Sequence, residues 1–265
     1  MIAQLPDGLK LAYEEAGSGT PLLLVHGWPH DHTMWAGQLG GLAPYARVLA
    51  PDLRGVGGST VRGPYTMDQY ADDLIGFLDS LGIAHAVVCG LSMGGYIAFA
   101  MLRRHRDRIR ALVLADTRAT ADTDEGRANR TKLIASIEQE GMHALAERQL
   151  QPMLARSTIE RHAPLVDTVR RMMASVPPEG AIGALRAMAA RPDSTDLLET
   201  IDVPTLVVGG AEDAITTPDV LRRMAASIPK SRVEIIEQSG HLCPLERSAA
   251  FNHVVGEFLG TLLYD

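Results

Sequence analysis

Six short strand-like runs recur along the chain, most of them separated by segments of helical periodicity. They are PLLLV (21–25), ARVLAP (46–51), AHAVVCG (84–90), IRALVLA (109–115), VPTLVVGG (203–210) and SRVEIIE (231–237). Runs this short and mostly this apolar suit strands covered on both faces. Their alternation with helices predicts an α/β fold: a mostly parallel twisted sheet with helices on both faces. LKLAYEE (9–15) follows an Asp7-Gly8 turn signal and is expected to be one arm of a hairpin. Thr66 and Asp68 open a helix with Met67, Tyr70, Leu74, Phe77, Leu78 and Leu81 on one stripe, and Gly82 ends it. A further helix is expected from Ser92 to about His105.

The alternation stops in the middle of the chain. From about Thr117 to Glu199 there is no strand signal, and helical stretches are expected near 125–140, 142–154, 158–175 and 179–190. Extra helices packed on the sheet would give such a pattern. An inserted lid over a binding site is preferred, because long connections are where such insertions concentrate. The expected division is a core of residues 1–116 and 200–265 with a helical lid at 117–199.

The stretch VCGLSMGGY (88–96) places three glycines around one serine at the end of an apolar run. Gly90-Leu91-Ser92-Met93-Gly94 is a G-x-S-x-G motif between a strand and a helix, the context expected of a nucleophile elbow. An ordinary glycine-rich turn with a serine cap is the plain alternative. A serine hydroxyl needs a base, and histidine is the natural one. Of nine histidines, His241 is chosen because it follows the last strand and so shares the sheet edge of Ser92. The acid that would orient it is Asp213, which follows the preceding strand; Ser…Asp…His is the expected order. Glu212 and Asp116 are the second and third choices, with a turn or cap role preferred for Asp116.

An oxyanion site would complete the set. VHGWP (25–29) enters a loop after a strand, and Pro29 has no N–H to give. The backbone amides of Trp28 and Met93 are therefore the expected donors. The pocket is expected to draw on His26, Gly27, Trp35, Tyr96, Met142 and Leu145, although methionines at helical spacing are more often core. With aromatics at only 5% of residues, an aliphatic, adaptable site is expected. His30 and His32 follow in the same loop and are further candidates to line the pocket, and Cys89 and Cys243 read as packing residues.

Composition narrows the function classes. A net charge of −7 without a basic block argues against nucleic acid and anionic membrane as partners. No apolar stretch reaches the ~18 residues of a membrane span. The first residues carry no leader-like pattern, and two cysteines make no disulfide framework, so a cytoplasmic protein is expected. No metal-ligand spacing and no nucleotide-binding glycine motif stands out, so no cofactor is expected.

Taken together, HGWP, DLRGVGGS (52–59), GLSMGG, GAEDAITTP and SGHLCPLE resemble the α/β-hydrolase superfamily, nearly along the whole chain. The nearest local similarity is to 3-oxoadipate enol-lactonases and small esterases, through LSMGG, LVLADTRA and GMHALAER. The resemblance implies a Ser92 nucleophile, an Asp213 acid, a His241 base and oxyanion amides on Trp28 and Met93. It implies a small-molecule ester or lactone as partner, with homo-oligomerisation left open. Dehalogenases and epoxide hydrolases share HGWP-like loops but carry aspartate where this chain has Ser92. A cofactor-free perhydrolase, a carbon–carbon bond hydrolase and a hydrolase-like ligand receptor are the alternatives that the same motifs allow.

Overall fold

The computed structural model describes residues 1–262. Eight strands form one sheet in the order β1-β2-β4-β3-β5-β6-β7-β8. The strands are β1 (Ile2–Gln4), β2 (Lys10–Ala16), β3 (Pro21–Val25), β4 (Arg47–Pro51), β5 (Ala86–Leu91), β6 (Ile109–Ala115), β7 (Thr205–Gly210) and β8 (Ser231–Ile236). β1 and β2 form the hairpin expected around Asp7-Gly8, and β2 joins β4 antiparallel. The pairings from β4 to β8 are parallel. Leu22, Leu23, Leu24, Val87, Val88, Leu112, Val113 and Val207 have no exposed surface. Burial on both faces is why these runs do not alternate. β8 is the edge strand and only half-buried, which accounts for its charged Arg232 and Glu234.

Helices surround the sheet. α1 (Ala36–Leu42) packs on α11 (Ser248–Thr261), and α2 (Met67–Ser80) on α3 (Met93–Arg104). The Thr66 hydroxyl caps α2 by accepting from the Gln69 amide at 3.0 Å, and Gly82 follows its end at φ +68°. Five helices lie between β6 and β7: α4 (Asp124–Met153), α5 (Arg156–Arg161), α6 (Ala163–Ser175), α7 (Pro178–Ala190) and α8 (Thr195–Leu198). α4 is two arms meeting at Gly141, which leaves helical geometry at φ 79°, ψ 176°. The stretch expected over 158–175 is broken at His162, where φ −129°, ψ 55° separates α5 from α6. Pro164, in the first turn of α6, cannot donate back into a continuous helix. α9 (Pro218–Ala226) and the short α10 (Cys243–Glu246) are the remaining helices among the described residues.

The helices between β6 and β7 are fastened to the sheet's loops at separate points. The Trp28 indole donates to the Ala181 carbonyl at 3.0 Å. The Glu246 carboxylate accepts from the Ala155 amide and the Thr158 hydroxyl on one side, and from the Gly240 amide on the other. Gly180 of α7 lies so close to Gly55 that a Cβ at 180 would overlap the Gly55 carbonyl. Alanine normally favours a helix over glycine. Gly180→Ala is nevertheless expected to destabilise the protein by about 1–3 kcal/mol, read as a lowered urea midpoint.

Candidate active site

The topology explains where the site forms. β3 and β5 are neighbours, but the chain leaves them toward opposite sides of the sheet, so a crevice opens beyond their C-terminal ends. The His26-Gly27-Trp28 loop leaves β3 there, and Ser92 leaves β5. Ser92 sits at φ 53°, ψ −110°, an uncommon conformation for a residue with a side chain. Its surroundings require glycine: a Cβ on Gly90 would overlap the Gly94 carbonyl, and one on Gly94 would overlap the Val25 carbonyl. Gly95 makes room for the Thr117 side chain rather than for the sheet itself.

Three side chains meet in one hydrogen-bonded line. The Ser92 Oγ lies 2.8 Å from His241 Nε2, and His241 Nδ1 lies 2.8 Å from Asp213 Oδ2. His241 and Asp213 are 2% and 3% exposed, so water does not compete for their contact. The other Asp213 oxygen accepts the Ile215 and Thr216 amides at 2.7 and 2.9 Å, which fixes the carboxylate's orientation. Glu212 stays outside this line. Its backbone amide bonds the Ser239 carbonyl.

The loop after β3 is held by His26. Its Nε2 accepts the Leu53 amide at 3.0 Å, so the proton resides on Nδ1 and is donated to the Gly27 carbonyl at 2.9 Å. Burial pushes the His26 imidazole below its ordinary pKa, favouring this neutral form. Gly27 approaches Ser92 closely; a Cβ there would stand 3.3 Å from that of Ser92. Among the described residues, the backbone amides of Trp28 and Met93 have no hydrogen-bond acceptor. The Met93 amide is also the first of α3, where the helix dipole favours negative charge.

A cavity of about 460 Å³ opens over Ser92 and His241. Of the residues expected to line it, Tyr96 does so. His26 and Gly27 act behind it as loop supports. Trp35 is fully buried, with its ring 6.2 Å from that of Phe251. Met142 and Leu145 are buried in the helix cluster, where α4 packs on α6 and α7; Met153, another methionine the sequence offers for the pocket, does reach the cavity, as does Met188. His30 and His32 also stay away from it. His30 is buried with both ring nitrogens unpartnered among the described residues and its pKa pushed down to about 3 by burial, while His32 bonds Asp52.

The expectation of an aliphatic site needs correction. One wall is polar, built by Arg118, Thr120, Asp122, Thr123, Asn129, Arg130 and Gln149. Most of these come from the loop after β6 and the first turns of α4. Burial pushes the Asp122 carboxyl up, but the Arg130 and Arg191 guanidiniums outweigh it and hold it below its usual range. Arg191 also stacks over the Tyr96 ring at 3.9 Å. Arg118 forms no ion pair among the described residues; it donates to the Ile215 carbonyl at 3.2 Å, and its buried Nε has no acceptor. The polar run DTRATADTDEGRANR was the available signal, but it reads as an ordinary solvated loop without the fold.

Comparisons with known proteins agree with this architecture. The structure superposes on a thermophilic esterase from Thermogutta terrifontis, solved with malate bound, with a TM-score of 0.95. That match has 42% identity and covers 99% of this chain and 98% of the other. The enol-lactonase from Burkholderia xenovorans superposes with a TM-score of 0.90 at 33% identity, covering 98% of this chain and all of the other. In sequence, 3-oxoadipate enol-lactonase 2 of Acinetobacter baylyi is 30% identical over 224 residues, 84% of this chain and 82% of its own length. The α/β hydrolase fold family model matches residues 20–248, and with the fold and relatives just described, the chain belongs to the α/β-hydrolase family.

Proposed function

We propose that this protein is a serine hydrolase that cleaves a carboxylic ester or lactone through an acyl-enzyme. The unbroken line from Ser92 through His241 to Asp213 on the floor of a cavity carries this reading. His241 Nε2 takes the Ser92 proton as Oγ attacks the substrate carbonyl. The Trp28 and Met93 amides, otherwise unoccupied, receive the developing oxyanion. His241 then gives its proton to the leaving oxygen, which in a lactone stays on the same molecule. In the second half, His241 deprotonates a water that attacks the acyl carbonyl, and Ser92 recovers its proton as the acid leaves. Asp213 keeps the proton-bearing Nδ1 oriented and stabilises the imidazolium. The helices from α4 to α8 serve as the cap that limits access to this chemistry.

The polar wall favours substrates that carry a carboxylate on the acyl part. Arg130 and Arg191 share one carboxylate, Asp122, and Arg118 lines the same cavity wall, in a chain whose net charge is −7. Of these three, Arg118 is the one without an ion pair among the described residues, and a carboxylate is the partner that matches its guanidinium. Malate, a small dicarboxylate, is bound in the Thermogutta terrifontis esterase.

The test is a panel of p-nitrophenyl esters, neutral and hemi-dicarboxylate, together with small lactones. Turnover by the native chain is expected, with hemi-dicarboxylates preferred. Arg118→Leu should cut kcat/KM for the anionic esters by about 10- to 100-fold while sparing the neutral ones. Equal losses on both would remove the carboxylate reading, and inertness on every substrate would remove the hydrolase reading.

A further inference from the structure

Asp116 lies directly behind the reacting line and has no role in it so far. It follows β6 at φ +42°, a left-handed conformation that aspartate tolerates better than most residues. This turn aims its carboxyl at the C-terminal edge of β7. There Oδ1 accepts the Gly210 amide at 2.8 Å, while Oδ2 is buried and has no hydrogen-bond partner among the described residues. One carboxyl oxygen of Asp116, one of Asp213 and one ring nitrogen of His241 all lie within 4.8 Å of one another. Asp116 has no exposed surface, and Asp213 is 3% exposed. No lysine or arginine pairs with either carboxyl among the described residues.

Two buried carboxylates this close cannot both stay ionised without a cation between them. The hydrogen bonds decide which one keeps the charge. Asp213 accepts two backbone amides and faces His241 Nδ1, whereas Asp116 accepts a single amide and has beside it the Cys243 thiol, a weak donor. We propose that Asp116 holds the proton of a carboxylic acid–carboxylate pair and donates it as a hydrogen bond to Asp213, acting as a positioning residue for the Asp213–His241 contact. Donation from Oδ2 gives the orphaned oxygen its partner. It also leaves His241 facing one negative charge rather than two.

The titratable groups around Asp116 are Asp213 and His241, from the loops after β7 and β8, and the Cys243 thiol of α10. Burial, then the Asp213 charge, pushes the Asp116 carboxyl well above the usual range, and burial with the Asp116 contact pushes the Cys243 thiol up as well. Among the described residues, the group facing Asp116 that can carry a positive charge is His241, during turnover.

The proposal rests on the reading of Ser92, His241 and Asp213 as the reacting groups, and its test separates the two. Asp116→Asn keeps the shape, the neutrality and a donor toward Asp213; Asp116→Ala removes the donor. With a p-nitrophenyl ester, the Asn variant should keep kcat close to that of the native chain and leave the acidic limb of the kcat/KM–pH profile unmoved. The Ala variant should lose about tenfold or more in kcat with little change in KM. An ionised Asp116 would hold His241 protonated to higher pH. Its removal in Asp116→Asn would then move the acidic limb down by about one unit or more, overturning the proposal.

Two measurements do not need activity. The infrared carbonyl band of a buried protonated carboxylic acid should be present in the native chain at pH 7 and lost in Asp116→Asn; its absence from the native chain overturns the proposal. The second is thermal stability. An acid that keeps its proton when folded stabilises the protein fully below its unfolded pKa and progressively less as pH rises. The Tm advantage of Asp116→Asn should therefore grow by about 2–4 °C per pH unit between pH 5 and 7. A flat difference overturns the proposal. If the native chain and both variants are inactive on every ester, the hydrolase reading fails, while the band and the Tm series still decide where the proton resides.

Discussion

Ser92→Ala is expected to lower kcat by about 10⁵- to 10⁶-fold on any ester or lactone the native chain turns over, with the fold and Tm preserved. The size follows from the chemistry. In the proposed mechanism, removing Oγ removes the covalent intermediate and leaves His241 no proton to move at the start of the reaction. What remains is a cavity with two free amides, able to bind a carbonyl but not to attack it. Alanine removes one oxygen from a position whose backbone is already held by the Ala115 carbonyl, which accepts the Ser92 amide at 2.9 Å. The measurement is single-turnover acyl transfer from a p-nitrophenyl ester. A native burst of p-nitrophenol that disappears in the variant supports the acyl-enzyme; an equal burst in both assigns the nucleophile elsewhere.

Asp213→Asn is expected to cost about 10⁴ in kcat with KM little changed. Asparagine fits the same space and can still accept the Ile215 and Thr216 amides through its oxygen. Its amide nitrogen then faces His241 Nδ1 and presents hydrogens to it. The imidazole answers by placing its proton on Nε2, toward Ser92, where it can no longer act as a base. The loss should be steepest near neutral pH and partly relieved at high pH, where hydroxide substitutes for the general base. A loss below tenfold would show that Asp213 does not orient His241 during turnover.

The sheet and the residues at its edge were legible because both depend on short-range pattern. Buried parallel strands write themselves as apolar runs, and the loops that follow them carry Ser92, Asp213 and His241 in an order that local context picks out. Asp116 was legible only as a strand-end acid; that its carboxyl meets that of Asp213 follows from β6 and β7 being neighbours, a pairing no local stretch contains. The cavity lining was least legible. Met142 and Leu145 repeat at helical spacing, but the break at Gly141 and the packing of α4 on two other helices decide which side of that helix meets the cavity. Trp35 looked like a neighbour of the HGWP loop in sequence, yet the short helical turn His32–Trp35 carries it under α11.

The glycine-on-glycine seat between residues 55 and 180 bears on how freely such proteins can be recombined. A helix seated this closely, with its neighbouring residue 181 tied to the Trp28 indole, is not an interchangeable cassette. A helical segment grafted from a relative would have to bring a residue without a side chain at the seat and a carbonyl for the indole. Otherwise it would push aside the loop beside the serine. Laboratory chimeras cut at the ends of the insertion should thus fail more often than those that also carry over the loops at 26–29 and 52–59.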